Sequence, residues 1–225
     1  MIPVFITART GSSRLPFKHF KDLDGYPVID FIVRRCVHFG LSPIVCVPID
    51  DMAEFAEYLP PIPIYGGDPD NIETRLRQCA AYFKINHFHH LDGDDPLFCP
   101  ETVMRSMDYG YSRKILPPLS SWSGTGLCGT SYLLDAPDRR RILSDVTGPW
   151  PLRLTLDYEE DLHLIRTVVR IVGGYMAPRS AIDKVFYDNP QLHQVNWFRT
   201  KEWKERQDNE RQPGLGIREA IREEA

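Results

Sequence analysis

The chain has 225 residues, of which 42% are hydrophobic, and its formal net charge at pH 7 is -4. This length suits one α/β domain, with or without a tail, and the apolar content is enough for a substantial core. The acidic balance gives no electrostatic case for non-specific nucleic-acid binding. The five cysteines include no C-x-x-C pair, which favours reduced, buried thiols over a disulfide framework or a zinc site.

The N-terminus lacks a basic region followed by a signal-peptide core. No apolar run approaches the roughly 20 residues that a membrane span needs. We therefore expect a soluble cytoplasmic protein.

Short apolar runs alternate with amphipathic segments along most of the chain. Strands are predicted at 2–6, 44–47, 62–65, 88–91 and 152–156. Helices are predicted at 28–39, 51–58, 71–83, 100–109, 159–172 and 181–186. A turn is expected at 66–69, and short antiparallel strands such as 127–134 are expected in the Gly- and Pro-rich stretch 112–151. This order predicts an α/β fold with a mostly parallel central sheet flanked by helices.

Residues 1–188 are predicted to form a single domain, and residues 189–225 a charged C-terminal extension. Within the extension, a polar helix is expected at 201–211 and a surface tail from Gly214 onward. Trp197 and Trp203 stand among its charged residues. We expect these two rings to cover a core edge or a subunit contact.

The first predicted strand leads into a loop of small, hydroxyl and basic residues at 8–18. Its cations are Arg9, Arg14 and Lys18, and Gly11 gives its backbone freedom to approach a ligand. Backbone amides, hydroxyls and guanidinium groups are the groups that hold phosphate. The loop has neither the Walker A pattern nor the dinucleotide fingerprint. It is therefore interpreted as a polyphosphate cradle, with a solvated loop of scattered charges as the alternative.

A second polar cluster, Asp92-Gly93-Asp94-Asp95-Pro96, follows the predicted strand 88–91. Carboxylates at the carboxyl end of a buried strand suit Mg²⁺, which prefers one or two carboxylates plus substrate phosphates. The alternative is an Asp-Gly turn with surface acids. The nearby His87, His89 and His90 suit no particular metal geometry, and a partly exposed strand is the better interpretation.

A third polar cluster lies where the predicted strand 152–156 ends at Asp157 and a helix begins. Glu160 and Asp161 fall in the first turn of that helix, where the helix dipole favours negative charge. These two are therefore predicted to be structural. Arg153 is either a phosphate or carboxylate partner or a salt-bridge residue.

The loop A-R-T-G-S-S-R-L-P-F-K resembles the signature loop of the CMP-sugar synthetases, the cytidylyltransferases for acidic sugars. It resembles still more closely their spore-coat-polysaccharide-type relatives. The matching residues are Ala8, Arg9, Gly11, Ser12, Ser13, Arg14, Leu15, Pro16 and Lys18. The departure is Phe17, where the family normally has glycine.

Two further motifs resemble the same family. G-D-D-P-L-F-C-P-E at 93–101 is similar to its second signature, and R-L-T-L-D-Y-E-E-D-L at 153–162 is similar to a late motif of the spore-coat type. The resemblance implies that Asp94 and Asp157 hold the catalytic Mg²⁺. Asp95 stands where the family varies, and Asp92 precedes the motif.

A fourth segment, residues 66–75, is similar to one that faces the base or ribose in the relatives. The resemblance makes Asn71 and Arg75 candidates for the cytosine edge, since an amide and a guanidinium can satisfy its carbonyl and ring nitrogen. The alternative is a helix N-cap at Asp70 with an exposed arginine.

The resemblance as a whole implies a Rossmann-like, nucleotide-diphospho-sugar transferase (GT-A-like) fold and transfer of CMP from CTP to an acidic sugar, with release of pyrophosphate. It further implies a homodimer working in surface polysaccharide biosynthesis. The catalytic residues would be Arg14, Lys18 and Asp94. The nucleotide-binding residues would be Ala8, Arg9, Gly11, Ser12, Ser13, Arg14, Lys18, Asn71, Arg75 and Gly93.

Two other classes of protein stay open from the sequence. One is a glycosyltransferase that uses a nucleotide-sugar on the same fold. The other is a nucleotide-binding relative without catalysis. The strongly basic loop speaks against the first, and the joint presence of Arg14, Lys18, Asp94 and Asp157 speaks against the second.

Overall fold

A computed structural model gives the fold of the chain. It describes the backbone of residues 1–112, 119–122, 130–133, 140–143 and 152–210, and the side chains of residues 1–108 and 152–205. The predicted surface tail from Gly214 and most of the predicted loop region 112–151 lie outside the described residues.

A seven-stranded sheet forms the centre of the described structure. The strands of the molecule are β1 (Ile2–Thr7), β2 (Asp22–Leu23), β3 (Tyr26–Pro27), β4 (Leu41–Pro48), β5 (Ile64–Gly67), β6 (His87–Asp92), β7 (Leu119–Trp122), β8 (Thr130–Leu133) and β9 (Arg140–Leu143). The order in the sheet is β5-β4-β1-β6-β8-β7-β9, and β2 pairs with β3 in a separate hairpin. Strands β5, β4, β1 and β6 run parallel, while β8 is antiparallel to β6. The predicted mostly parallel α/β sheet is therefore confirmed.

Helices connect and cover the parallel strands. They are α1 (Val28–His38), α2 (Met52–Tyr58), α3 (Ile72–Phe83), α4 (Pro100–Ser112), α5 (Glu159–Val172), α6 (Arg179–Asp188), α7 (Gln194–Trp197) and α8 (Thr200–Glu210). Short 3₁₀ helices stand at Lys18–Phe20 and Ile49–Asp51. The predicted helices all form, with ends shifted by a few residues. No helix among the described residues has the length and apolar character needed to cross a membrane.

The alternation of β1 side chains explains the two-layer core. Val4 and Ile6 belong to a large apolar cluster with residues of α1, α5 and α6, whereas Phe5 belongs to a smaller cluster with residues of α3. Successive strand side chains point to opposite faces, so β1 is buried on both. The register sets Thr7 opposite both Cys46 and Asp92. The carboxyl ends of the central strands therefore meet at one edge, which is the edge that carries the polar clusters.

Three local predictions are wrong. Residues 152–156 form no strand of the described sheet, and the amide of Leu156 donates instead to the Asp94 carbonyl oxygen at 2.7 Å. Gly66 and Gly67 lie within β5 rather than in a turn. His87 and His89 are buried, because β6 lies inside the sheet between β1 and β8 and has both faces covered.

Candidate active site

The loop after β1 turns sharply at Phe17. The backbone of this residue is left-handed, with φ 54° and ψ 34°, and its side chain is 56% exposed. Left-handed backbone carries a steric cost for any residue with a Cβ. The turn begins the 3₁₀ helix Lys18–Phe20 and so sends Lys18 inward. The glycine that the family normally has at this position suits that conformation, and the loop keeps the conformation with phenylalanine in its place.

We expect Phe17→Gly to raise the free energy of unfolding by about 0.5–1 kcal/mol. The left-handed penalty of about 1–2 kcal/mol disappears, while the added freedom of glycine in the unfolded chain costs about 0.5–1 kcal/mol. Urea denaturation measures the difference, with Phe17→Ala as the control because it removes the ring but keeps the Cβ. A Phe17→Gly protein less stable than Phe17→Ala would show that the turn is not under this strain.

Lys18 joins two of the predicted metal ligands. The residue is 8% exposed, and its ammonium donates to Asp94 Oδ2 at 2.5 Å and to Asp157 Oδ1 at 3.0 Å. These residues come from three separate segments of the chain. The structure therefore brings the first, second and third polar clusters of the sequence into one site.

Arg14 completes the cationic side of this site. Its guanidinium donates to Asp157 Oδ1 at 2.7 Å. Asp157 is 1% exposed, so this carboxylate is held among cations and away from bulk water. Two loop cations and two acidic side chains thus share one cluster at the edge of the sheet, with Lys18 and Asp157 buried and Arg14 and Asp94 partly exposed.

Backbone hydrogen bonds join the Asp94 segment to the end of β1 and to the segment before Asp157. The amide of Gly93 donates to the Thr7 carbonyl at 2.8 Å, and the amide of Leu156 donates to the Asp94 carbonyl. A Cβ on Gly93 would stand 2.8 Å from the Thr7 carbonyl oxygen, which is closer than real Cβ atoms approach. The hydroxyl of Thr155 also donates to Asp95 Oδ1 at 3.0 Å. Asp95 is therefore a buried structural acid, in line with its predicted lesser claim as a ligand.

The charges of the cluster shift one another's pKa values. Burial alone would lower the pKa of Lys18, but Asp94 and Asp157 outweigh it and raise that pKa above its ordinary value. Burial opposes ionisation of Asp157, yet Lys18 and Arg14 hold its pKa below the usual range. Lys18 is therefore a permanent cation, and Asp157 is a carboxylate at neutral pH.

Asp161 fixes the backbone at Asp157 through buried polar contacts. Arg153 forms a bidentate, fully buried ion pair with Asp161, at 2.8 and 2.5 Å. Asp161 Oδ2 also accepts the backbone amides of Asp157 and Tyr158, each at 2.9 Å. The sequence left two roles open for Arg153, and the structure shows the salt bridge. Asp161 is structural as predicted, and Glu160 pairs with Arg199 at the surface.

Trp203 stands at the site rather than only at a core edge. Its indole Nε1 donates to Asp157 Oδ2 at 2.8 Å. Sequence reasoning missed this contact because no local pattern ties residue 203 to residue 157. The signal in the sequence was a large, half-polar ring at position 203 within an otherwise charged helix, since indole N–H groups usually find an acceptor when covered.

The remaining loop residues line its outer part. Ala8 is buried, and the Ser12 hydroxyl accepts the Leu15 amide at 3.4 Å. Arg9, Gly11 and Ser13 are exposed. The space around Gly11 is open, because a Cβ added there would meet nothing within 4 Å. Their predicted nucleotide contacts stay predictions.

Asn71 and Arg75 are engaged within their own segment. Asn71 is the N-cap of α3, and its side chain accepts the Thr74 amide at 2.9 Å. Arg75 is 2% exposed and donates to the carbonyls of Asp68 and Pro69. The cap is thus Asn71 rather than Asp70, and the arginine is buried rather than exposed. These bonds fit the structural alternative, while the base contact stays a prediction.

The donor set at the centre of the site fits a divalent cation. Asp94 and Asp157 each turn an oxygen to one point, now held by the Lys18 ammonium. Hard carboxylate oxygens are the ligands that Mg²⁺ and Mn²⁺ take. Asp92, Asp94 and Asp95 also each offer an oxygen within 4.8 Å of the others. Asp94 belongs to both sets, and the motif resemblance makes Asp157 its expected partner.

We expect acid to destabilise the fold through two buried histidines. Burial, with a smaller effect of Lys18 on His19, lowers the pKa of His19 and of His89 to about 3. Between pH 6.5 and 3 the unfolded chain binds a proton at each site that the folded chain does not, so stability falls as pH falls. Going from pH 7 to pH 5 should cost about 2 kcal/mol per histidine.

Urea denaturation at pH 7 and pH 5 measures that loss. His89→Gln should reduce it by about 2 kcal/mol, while His163→Gln, at an exposed position of α5, should leave it unchanged. An equal loss in the wild-type and His89→Gln proteins would contradict the assignment.

Comparison with known proteins places this fold among nucleotidyltransferases. A cytidylyltransferase structure from Leptospira borgpetersenii superposes with a TM-score of 0.74 at 17% identity, covering 86% of this chain and 96% of that one. A CMP:2-keto-3-deoxy-manno-octonic acid synthetase complexed with CTP gives 0.58 at 16% identity, covering 76% and 99%. A manganese complex of a Mycobacterium tuberculosis H37Rv protein gives 0.55 at 11%, covering 74% and 99%. This chain therefore shares its fold with these three structures.

Sequence similarity points within that class to cytidylyltransferases. A 3-deoxy-manno-octulosonate cytidylyltransferase of Chlorobium luteolum is 28% identical over 162 residues, 69% of this chain and 60% of that protein. One of Halorhodospira halophila is 36% identical over 109 residues, 44% of this chain and 41% of that protein. The matched part thus spans less than two thirds of either relative. No family model matches the chain.

Proposed function

We propose that this chain is a CTP-dependent cytidylyltransferase. It transfers CMP to an acidic sugar related to 3-deoxy-manno-octulosonate, or to a similar acceptor, and releases pyrophosphate. The observation that carries the proposal is that Asp94 and Asp157 both accept hydrogen bonds from the Lys18 ammonium, and that Asp157 also accepts one from Arg14. The names of the relatives support the base and the sugar class. The loop motif supports the spore-coat-polysaccharide type, and we further propose that the chain works in the cytoplasm as a homodimer.

The proposed reaction is an in-line displacement at phosphorus. A bond forms between the acceptor oxygen and the α-phosphorus of CTP, and the α–β phosphoanhydride bond breaks. Pyrophosphate leaves with the electron pair, and the acceptor hydroxyl loses its proton to solvent. Phosphoryl transfer needs positioning and charge neutralisation more than covalent help, and these are what the cluster offers.

The residues of the cluster divide this work. Asp94 and Asp157 would hold Mg²⁺, which would supply neutralisation of phosphate charge and activation of the acceptor hydroxyl. Lys18 and Arg14 donate hydrogen bonds to these carboxylates. If the carboxylates bound a metal ion instead, the two cationic side chains would be placed to contact the triphosphate. There they would offset the charge that develops on the leaving pyrophosphate. Arg9 and the exposed loop residues would hold the outer part of the nucleotide.

A thermal-shift panel of CTP, UTP, ATP and GTP, each with and without Mg²⁺, tests the proposal first. A ligand at about 100 times its Kd adds about 2.7 kcal/mol, which for a chain of this size raises Tm by about 5–10 °C. We expect this shift for CTP with Mg²⁺, and we expect Arg14→Gln to lose most of it. Lys21→Gln is the matched control, because Lys21 pairs with Glu159 at the surface.

Pyrophosphate release then tests the reaction, with CTP and 3-deoxy-manno-octulosonate first and other acidic sugars after it. Release with one of them, dependent on Arg14 but not on Lys21, is the expected result. A shift with a nucleotide-sugar and none with any triphosphate would replace the proposal with a glycosyltransferase. No shift and no release with any of these compounds would leave no support for catalysis.

A further inference from the structure

The two oxygens of the Asp157 carboxylate face different partners. Oδ1 accepts from Arg14 and Lys18, the cations of the N-terminal loop. Oδ2 accepts from the Trp203 indole, which comes from the C-terminal helix α8. Oδ1 therefore faces the loop cations that are proposed to bind the nucleotide, and Oδ2 accepts from a neutral donor in a distant part of the sequence.

Buried hydrogen bonds of Asn196 fix the segment that carries Trp203, and a surface pair of Arg199 lies beside them. Asn196 of α7 is 1% exposed, and its amide donates to the Arg153 carbonyl at 2.8 Å and to Asp161 Oδ1 at 2.9 Å. Arg199 pairs with Glu160, and its guanidinium lies 4.9 Å from the centre of the Tyr158 ring. The helices α7 and α8 are thus seated on the first turn of α5, directly behind Asp157.

From this geometry we infer that Trp203 is a positioning residue for Asp157, and that the C-terminal helix is a fourth part of the active site. This inference rests on the proposed function, since it assigns Asp157 to the metal. A carboxylate with a free torsion presents either oxygen, in several directions. An indole N–H on Oδ2 fixes the plane of the carboxylate and leaves Oδ1 as the oxygen for the cation. Because the indole is neutral, it does this without adding a charge that repels the metal.

The inference also changes the role of residues 189–210. From the sequence they formed a charged extension outside the domain. In the structure Asn196 and Trp203 bond to Arg153 and Asp157, which both belong to the motif at 153–162. Removal of α8 should therefore impair the metal site directly, and not only the stability of the chain.

The test is Trp203→Phe in the full chain, which keeps an aromatic ring and removes the N–H donor. Outer hydrogen bonds to metal-ligating groups are worth about 10–100-fold in metal affinity or activity. We expect binding of Mn²⁺ alone, measured by calorimetry, to weaken about 10-fold, and kcat to fall by a similar factor. The KM for CTP should change less than about 2-fold, because the hydrogen bond of the Trp203 indole goes to the Asp157 carboxylate.

Trp197→Phe is the matched control, since Trp197 lies one helix earlier and is 56% exposed. It should leave Mn²⁺ binding and both kinetic constants unchanged. If Trp203→Phe does not fold, a benzothienylalanine at position 203 keeps the shape of the indole and replaces only the N–H. The same loss of Mn²⁺ affinity is expected for that protein.

Mn²⁺ binding of the Trp203→Phe or benzothienylalanine protein within about 2-fold of wild type would overturn the inference. That result would leave the proposed function intact if the wild type releases pyrophosphate. Conversely, a wild type that releases no pyrophosphate with any acceptor would remove the proposed reaction. The Mn²⁺ comparison would then still decide whether Trp203 orders Asp157 for a cation.

Discussion

Asp94→Asn should lower kcat for pyrophosphate release by about 10²–10³-fold, a loss typical of removing one electrostatic partner from a transition state. Asp94 is one of the two carboxylates on the Lys18 ammonium. The amide keeps the size of the side chain and accepts a hydrogen bond from Lys18, but it loses the charge that would bind the cation. Steady-state assays with CTP, Mg²⁺ and a saturating acceptor measure the change.

The stability of Asp94→Asn should stay close to that of the wild type. Burial raises the pKa of Asp94, and the Asp157 and Asp92 carboxylates add to that rise while Lys18 opposes it. Its charge is therefore held at some cost to folding, so neutralising it relieves repulsion as well as removing an ion pair. An unchanged urea midpoint beside a large loss of kcat is the expected pattern.

Asp92→Asn separates the two possible metal sites. The Asp92 side chain is 55% exposed and accepts a hydrogen bond from Thr7, and it belongs to the cluster of Asp92, Asp94 and Asp95. If Asp94 and Asp157 are the ligands, Asp92→Asn should cost less than about 3-fold in kcat. Losses of similar size in the two variants would assign the cation to the Asp92 cluster instead. Near-normal activity of Asp94→Asn would remove the metal assignment altogether.

Most of the fold could be predicted from the sequence because its signals are local. Apolar runs and helical spacing depend on neighbours within a few residues, so β1, α1, α3 and α5 follow from the pattern. The segment 152–156 does not follow, because its partner is the Asp94 carbonyl and not a strand. An apolar run has the same pattern in the sequence whether its backbone pairs with a strand or forms a hydrogen bond to a loop.

The site was partly predictable for a related reason. Arg14, Lys18, Asp94 and Asp157 stand in motifs where each segment already has the chemistry of a site. The meeting of the loop cations with Asp94 follows from the parallel sheet, which brings the ends of β1 and β6 together. Asp157 joins them through the hydrogen bond from the Leu156 amide to the Asp94 carbonyl. Trp203, Asn196 and the burial of Asp161 depend on a helix that returns from the C-terminal end. No periodicity near residue 203 reports that contact, so only the three-dimensional structure places it.

Asp161→Asn should destabilise the protein by about 3–5 kcal/mol, the cost of breaking a buried ion pair by removing one partner. Arg153 is 2% exposed and Asp161 is fully buried, so the guanidinium left behind would have no full counter-charge. For a chain of this size the change lowers Tm by about 6–20 °C. Urea denaturation at pH 7 measures it.

Glu160→Gln is the control for this prediction. Glu160 is the neighbouring acid of the same helix turn, but its pair with Arg199 has side chains that are 29% and 35% exposed. Exposed pairs of this kind contribute up to about 1 kcal/mol, so Glu160→Gln should stay within that range. Equal losses in the two variants would mean that helix-dipole charge, and not the buried pair, explains the acids of this turn.

The same Asp161→Asn substitution should also weaken metal binding at the candidate active site. Asp161 accepts the backbone amides of Asp157 and Tyr158, and a neutral side-chain amide is a weaker acceptor for them than a carboxylate. Well below its Tm, Asp161→Asn should therefore bind Mn²⁺ more weakly, whereas Glu160→Gln should bind it as the wild type does. A destabilised Asp161→Asn protein with normal Mn²⁺ affinity would show that the ion pair supports the fold alone, and that the Asp157 carboxylate is ordered by Trp203, Arg14 and Lys18 without it.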